Sequence, residues 1–409
     1  MATVLLPFGL GYYLSYLYRT VNVVIAKPLA ADLALSAADL GLLTSIYFIV
    51  FAAFQTPLGV LLDRYGPRRV QATLLIFAAT GSALFAVSSN FLLLAIGRGL
   101  IGFGVCGCLM AALKANVLWF PRERLPLVNG CTVAFGSFGA LSGTVPVEFL
   151  FGLFGWRPIF ALLATVTVAV IIMTYLLVPE RDGTAAVPRP GARGGLRGQL
   201  HDLRLIYTSP HFWRVCLPSF LHTAVYLSYQ SLWMGPWLRD VAGLSLPSVA
   251  QTLLLFNIGM FIGVLGIGAL TDRLQAFGIR PIVIMGGGLG ASLVIQTMFA
   301  LEQTAFAAPL CFAFGFFGSS TLLIYSVLGQ DFPARLAGRA NTAQNMLTFI
   351  GAFGVQWGAG VIINLWPERP GGLYDPAGHQ AAFLTVIGLE LLTFLWFLLP
   401  RRSGAGIPQ

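Results

Sequence analysis

The chain is 409 residues long, 57% hydrophobic and only 10% charged, where a soluble protein of ordinary composition carries about 25% charged residues. That deficit excludes a water-soluble globular protein and leaves one whose outer surface meets lipid. The formal net charge of +9 then reads as basic loops on one side of a membrane, with no nucleic-acid partner.

Apolar runs of about 20 residues, enough to cross about 30 Å of hydrocarbon, recur along the whole chain. They predict twelve helices near 4–30, 38–62, 68–88, 91–119, 126–149, 157–178, 213–237, 247–271, 281–301, 304–330, 338–365 and 380–399. The first is expected to be a permanent span, because no Lys or Arg precedes Arg19 and no small-residue cleavage site follows. With both termini cytoplasmic, the inner turns hold 17 of the 24 basic residues, and Arg157, Arg239 and Arg369 alone face out. This asymmetry sets the expected topology. The five cysteines all lie in apolar segments, which argues against a disulfide framework.

The first span carries Tyr18, Arg19 and Asn22 near its midpoint. An ionisable group inside a membrane is costly and marks function by default, and a guanidinium offers a planar fork to a carboxylate, phosphate or nitrate. The competing role for Arg19 is pairing with a buried acid, and the only acid deep in a span is Glu390 of the twelfth helix. Lys27, near the outer mouth, is expected to snorkel toward the interface.

The turn after the second helix reads PLGVLLDRYGPRRV, Pro57 to Val70, with one acid and three arginines. Gly59 lets a neighbouring helix approach closely. Asp63 ends a helix, where it can accept hydrogen bonds from a facing helix N-terminus and pair with arginines. Gly59, Asp63, Arg64, Gly66, Arg68 and Arg69 are therefore expected to latch the two halves on the cytoplasmic side, the alternative being that the arginines only set topology. On the fourth helix, RGLIGFG runs from Arg98 through Gly102 to Gly104. Lys114 reads either as a second anion contact or as a snorkelling lysine. In VCGCLMAALK, Cys106 and Met110 stand four apart and could touch a soft metal ion.

A Gly-, Pro- and Arg-rich stretch divides the chain, with a short amphipathic piece expected near Leu200–Ile206. The organisation this gives is a six-helix bundle over 1–178, a cytoplasmic linker over 179–212 and a second bundle over 213–409. The seventh helix carries His222, Tyr226, Gln230 and Trp233. The halves repeat. Tyr18, Asn22, Pro28 and Asp32 match Tyr226, Gln230, Pro236 and Asp240 at an offset of 208. Gly59, Asp63 and Arg64 match Gly268, Asp272 and Arg273 at 209, within the second charged turn GIGALTDRLQAFGIRPIV. After that turn, which is three residues longer, Phe120, Pro121 and Asn129 match Phe332, Pro333 and Asn341 at 212. An offset that steps once, by the length of an insertion, marks two parallel repeats.

The turn Gly59 to Arg69 resembles the signature loop between helices two and three of the major facilitator superfamily. RGLIGFG resembles that family's helix-four motif, and GSFGALSGTVP, Gly136 to Pro146, its helix-five glycine motif with Ala140 in place of the usual proline. The resemblance covers the whole chain and implies an all-α membrane fold of two pseudo-symmetric bundles, with the first and seventh helices lining a central cavity. The stretch around Arg19 looks like the first helix of organic-anion and phosphate-type facilitators, with Asn22 three residues after the Arg rather than two.

The expected function is secondary transport of a small, anionic solute by rocker-switch alternating access, by a monomer in the bacterial inner membrane, without a cofactor. Arg19, Asn22, Tyr18, Lys114, His222, Tyr226, Gln230 and Trp233 are its candidate substrate contacts, and Gly59 to Arg69 with Asp272 and Arg273 its gates. Helices one, four, seven and ten lack a buried carboxylate, so their cavity should favour anions, and His222 is the group available if protons couple. Efflux of hydrophobic compounds, uptake of a metal or its chelate, and a receptor or lipid-handling role on the same fold are the alternatives. No P-loop, nucleophile–base pair or metal-ligand spacing points to an enzyme.

Overall fold

The computed structural model describes residues 2–179 and 204–399. Most of the expected linker, 180–203, lies outside these residues, as do Arg401 and Arg402. Residues 204–207 form one short helical turn. In hydrocarbon every backbone donor and acceptor must be satisfied within the chain, and among the described residues there are helices and no named strand.

Beyond the turn at 204–207 and short 3-10 pieces, the described residues form twelve helical segments in order. They are α1 (Ala2–Leu33), α2 and α3 (together Ala37–Val87), α4 (Phe91–Trp119), α5 (125–154), α6 (Trp156–Leu177), α7 (210–240), α8 (Leu246–Ala276), α9 (Pro281–Ala300), α10 (Thr304–Asp331), α11 (Ala334–Ile363) and α12 (Pro376–Leu398). Among the described residues nine helices are long and apolar enough to cross a membrane, or ten if the bent α5 counts as one span. The segments α1 and α7 are not among them, and they carry most of the polar groups discussed below. Large apolar side chains point outward, with Leu176 at 76% and Leu392 at 67% exposure, as a lipid-facing wall requires.

Local chemistry sets the breaks. Gly66 has φ 76° and ψ 161°, a conformation that L side chains rarely adopt, and it separates α2 from α3 at the charged turn. The α5 helix bends by 42° between Ser142 and Val145, where Pro146 supplies no backbone donor. Ser36 and Asp39 form a reciprocal capping box at the start of α2. Within α7, Tyr229–Trp233 form a π-helical turn in which Met234 N–H donates to the Tyr229 carbonyl, one residue wider than an α-turn.

Close packing needs glycine at particular points. A Cβ on Gly102 of α4 would stand 2.6 Å from the Tyr47 carbonyl oxygen of α2, a clash that backbone cannot relieve cheaply. The Gly102→Val variant is expected to yield several-fold less monodisperse protein on size-exclusion chromatography, by overpacking this seam.

The first six helices meet the last six along α2–α11, α1–α7 and α5–α8. At the arginine-poor end the fit is tight. A Cβ on Gly41 would lie 2.9 Å from the Gln356 carbonyl oxygen, and one on Gly360 would lie 2.5 Å from that of Ala37. Gln356 Nε2 donates to Thr44 Oγ1 at 2.7 Å, and the Gln356 Oε1 accepts from Ser231 at 2.7 Å. Deeper, Phe349 of α11 packs on Phe51 of α2 at 4.2 Å between ring centroids. Toward the arginine-rich end, Gly59 and Gly268 both have open space where a side chain would sit. Among the described residues the tightly packed seam between the two sets lies toward the arginine-poor end.

Candidate functional site

Helical spacing decides which polar side chains face the seam. Residues i, i+4 and i+7 share a face, so Tyr12, Tyr16 and Arg19 of α1 line up together, while Tyr18 and Asn22 lie on another face. The Arg19 guanidinium carbon is 4.6 Å from the Tyr16 ring centre, 5.8 Å from Phe51 and 5.4 Å from Phe349 across the seam. The residue is 5% exposed and its Nε is buried without a hydrogen-bond partner. Among the described residues no carboxylate pairs with it. Tyr12, Tyr226 and Tyr325 all stand within electrostatic reach of Tyr16, and Tyr325 donates to Asn345 Oδ1 at 3.0 Å. The Tyr226 hydroxyl is buried and unpartnered. Aromatic rings from both sets, Tyr16, Tyr47 and Phe51 on one side and Phe349 on the other, thus border the guanidinium.

The acid that might have neutralised Arg19 is committed elsewhere. Glu390 Oε2 accepts from Gln296 at 2.9 Å and sits 3.1 Å from His222 Nδ1. His222 therefore points into the wall formed by α7, α9 and α12, away from Arg19.

Several expected contacts also turn aside. The Tyr18 hydroxyl meets Thr167 Oγ1 of α6 at 2.9 Å. With its amide oriented to satisfy both groups, Asn22 accepts from Arg98 Nη2 at 2.7 Å, while Arg98 Nη1 donates to the Tyr18 carbonyl at 2.8 Å. Arg98, 1% exposed, thereby ties α4 to α1. Gln230 donates to Asn257 at 2.9 Å, and Trp233 Nε1 donates to the Gln356 carbonyl at 2.8 Å within the closed seam. Of the eight substrate candidates, Arg19 and Tyr226 face the tyrosine cluster.

Lys114 is paired within its own bundle and is not a free snorkelling chain. Its Nζ lies 2.7 Å from Asp63 Oδ1 and 2.6 Å from the Leu62 carbonyl oxygen. Asp63 and Arg68 of the charged turn have partners within the first six helices. Arg68 donates to the Tyr175 carbonyl of α6 at 2.6 Å and lies over that ring, Arg64 lies against Tyr65, and Arg69 is exposed. Asp272 and Arg273 are exposed, with no ion pair among the described residues. The Asp63 side chain is 69% exposed, and such a pair is worth at most about 1 kcal/mol. Lys114→Met is accordingly expected to lower the melting temperature by only about a degree or two in a thermal-shift assay.

Cys106 and Met110 do not share a face. A turn at Cys106 and Gly107 breaks α4 between them, leaving Cys106 buried and Met110 41% exposed.

Sequence reasoning missed the closed end. Lys27 does not snorkel; it is 8% exposed, 3.3 Å from Asp240 Oδ2 of α7, and donates to the Gly372 carbonyl at 2.8 Å. Its Nζ stands 3.0 Å from the centre of the Tyr374 ring. The same Asp240 oxygen lies 3.2 Å from His379 Nε2. No motif marks this cluster, because its members come from α1, α7, the α11–α12 turn and α12.

Comparison with known proteins returns one family. The sequence model of the Major Facilitator Superfamily matches residues 8–355. The chain is 25% identical over 402 residues to a Cupriavidus necator protein named "Probable sulfoacetate transporter SauU", covering 94% of this chain and 91% of that one. It is 26% identical over 423 residues to the hexuronate transporter of Bacillus subtilis, covering 99% and 96%. Its fold matches the crystal structure of a bacterial homolog to the human lysosomal transporter Spinster, in an inward-facing and unoccupied conformation. That match has a TM-score of 0.78 at 18% identity and covers 96% of this chain and 95% of that one.

Proposed function

The chain belongs to the Major Facilitator Superfamily, and from that premise we propose that it carries a small organic anion across the bilayer, with Arg19 as the group that binds the charge. It is a multi-pass membrane protein and not an enzyme. The single observation that carries the reading is the buried guanidinium of Arg19 without a carboxylate partner among the described residues, bordered by Tyr16 and Tyr47 of the first set and Phe349 of the second. A buried charge left unpaired is costly, and a carboxylate, sulfonate or phosphate arriving from the open end relieves that cost with charge-assisted hydrogen bonds. The Tyr226 hydroxyl, buried without a partner, is a further donor available to such a solute. The relatives are named for sulfoacetate and hexuronate, both of which bear a carboxylate.

Transport follows by rocking of the bundle 1–178 against 213–409. The closed arginine-poor end faces outward, the open arginine-rich end faces the cytoplasm, and both termini lie inside the inner membrane's cytoplasmic face. Solute enters the open end, binds Arg19, and the seam at Thr44, Gln356 and Lys27 separates as the charged turns come together. The equilibrium between the two states is set by the differential contacts each can make.

A thermal-shift screen followed by uptake into proteoliposomes tests this. Sulfoacetate, glucuronate or glycerol 3-phosphate is expected to raise the melting temperature and to be transported, while glucose and a quaternary ammonium ion do neither. Preferential stabilisation by the neutral or cationic compounds would sink the anion reading. Binding without flux would make the protein a receptor.

A further inference from the structure

On the outer wall of the second bundle a groove of about 640 Å³ lies between α7, α9 and α12. The α9 and α12 helices pack on helices of their own set, so the groove faces the bilayer and not the seam. Its floor is glycine: at Gly287 nothing stands within 4 Å of an added Cβ, and at Gly286 the nearest atom is Phe397 Cε1 at 3.1 Å. Phe394 and Phe397, stacked with centroids 6.1 Å apart, form one side. Two arginines stand at the end nearest the charged turns. Arg280 is 58% exposed and reaches Asp331 Oδ1 at 3.2 Å through Nη2. Arg214 donates through Nη2 to the Phe397 and Leu399 carbonyls. His211, on the same rim, lies 2.9 Å from Asp331 Oδ2.

We propose that this groove is a binding site for one anionic phospholipid, with its phosphate at Arg280 and Arg214 and one acyl chain along Gly286 and Gly287. Among the described residues the rim holds two guanidiniums against one carboxylate, Asp331, so a net positive charge remains for a headgroup. Both arginines keep donors beyond the ones described, and the apolar trough runs from them along the direction an acyl chain takes into the bilayer. A basic pocket between helices at the membrane surface recognises anionic headgroups in this way. An ordinary boundary lipid needs neither the cleft nor the charge.

Native mass spectrometry of the delipidated full chain, titrated with phosphatidylglycerol or phosphatidylcholine, tests it. Phosphatidylglycerol is expected to be retained at collision energies that strip phosphatidylcholine. Arg280→Gln should lower that retention about five-fold with an unchanged melting temperature, since the side chain is on the surface. Gly287→Leu, which fills the trough, should lower retention of both lipids. Equal retention of the two lipids in the native chain, or full retention in Arg280→Gln, reduces the groove to boundary-lipid contact and overturns the proposal. Displacement of phosphatidylglycerol by soluble glycerol 3-phosphate in the Arg19→Met background overturns it in favour of a free-phosphate site. None of these readouts depends on Arg19, so they stand or fall apart from the transport reading.

Discussion

Arg19→Met is expected to lower uptake of the stabilising anion by about 100-fold or more, while the protein still inserts and remains monodisperse. A bidentate pair of charge-assisted hydrogen bonds is worth about 3 kcal/mol or more, and each 1.4 kcal/mol is about tenfold in affinity. Arg19→Lys should recover only part of the loss, because an ammonium keeps the charge but not the planar fork. The ligand-free protein gives an independent check. Removing a buried charge that lacks a carboxylate partner should raise its melting temperature, as happens where a binding group is held at the expense of stability. Uptake at the native level in Arg19→Met would remove Arg19 from the site.

The second large effect lies at the opposite end of the molecule. Lys27→Met leaves Asp240 buried with only His379 and the Tyr374 N–H beside it. Breaking one partner of a buried ion pair costs about 3–5 kcal/mol. Because Lys27 and Asp240 belong to different sets, that cost falls on the state with the outer end sealed and shifts the population toward outer opening by on the order of 100-fold. Spin labels at Ser89→Cys and Gln303→Cys, both exposed turns at the arginine-poor end, should report a longer distance in Lys27→Met than in the native background. The double variant Lys27→Met with Asp240→Asn should move part of the way back, since it removes the stranded charge. An unchanged distance distribution would deny Lys27 a part in the seal.

The helical fold was legible because span length and arginine placement are properties of composition, which survive without knowing how any helix is rotated. The residue that lacks an acidic partner was legible for the same reason: a chain with one deep acid leaves Arg19 short of partners wherever it points. Orientation around each helix was harder. Tyr18 and Asn22 adjoin Arg19 in sequence, yet they face α6 and Arg98, and the stripe at Tyr12, Tyr16 and Arg19 was the pattern to follow. His222 and Lys114 went astray because their acids, Glu390 and Asp63, are brought close only by packing. Lys27 looked like an interfacial lysine because its partners are more than two hundred residues away.

The π turn at Tyr229–Trp233 has a consequence for the duplicated sequence. One extra residue in a turn rotates everything beyond it by about 100° relative to an ideal helix. Asp32 and Asp240 occupy equivalent positions in the two copies, on the far side of that point. Asp32 turns back to Arg157 at 2.6 Å, inside its own bundle, whereas Asp240 meets Lys27 of the other bundle. Kinship in sequence is thereby uncoupled from kinship in direction: a single widened turn lets one ancestral carboxylate brace its own bundle while its twin serves the joint between them.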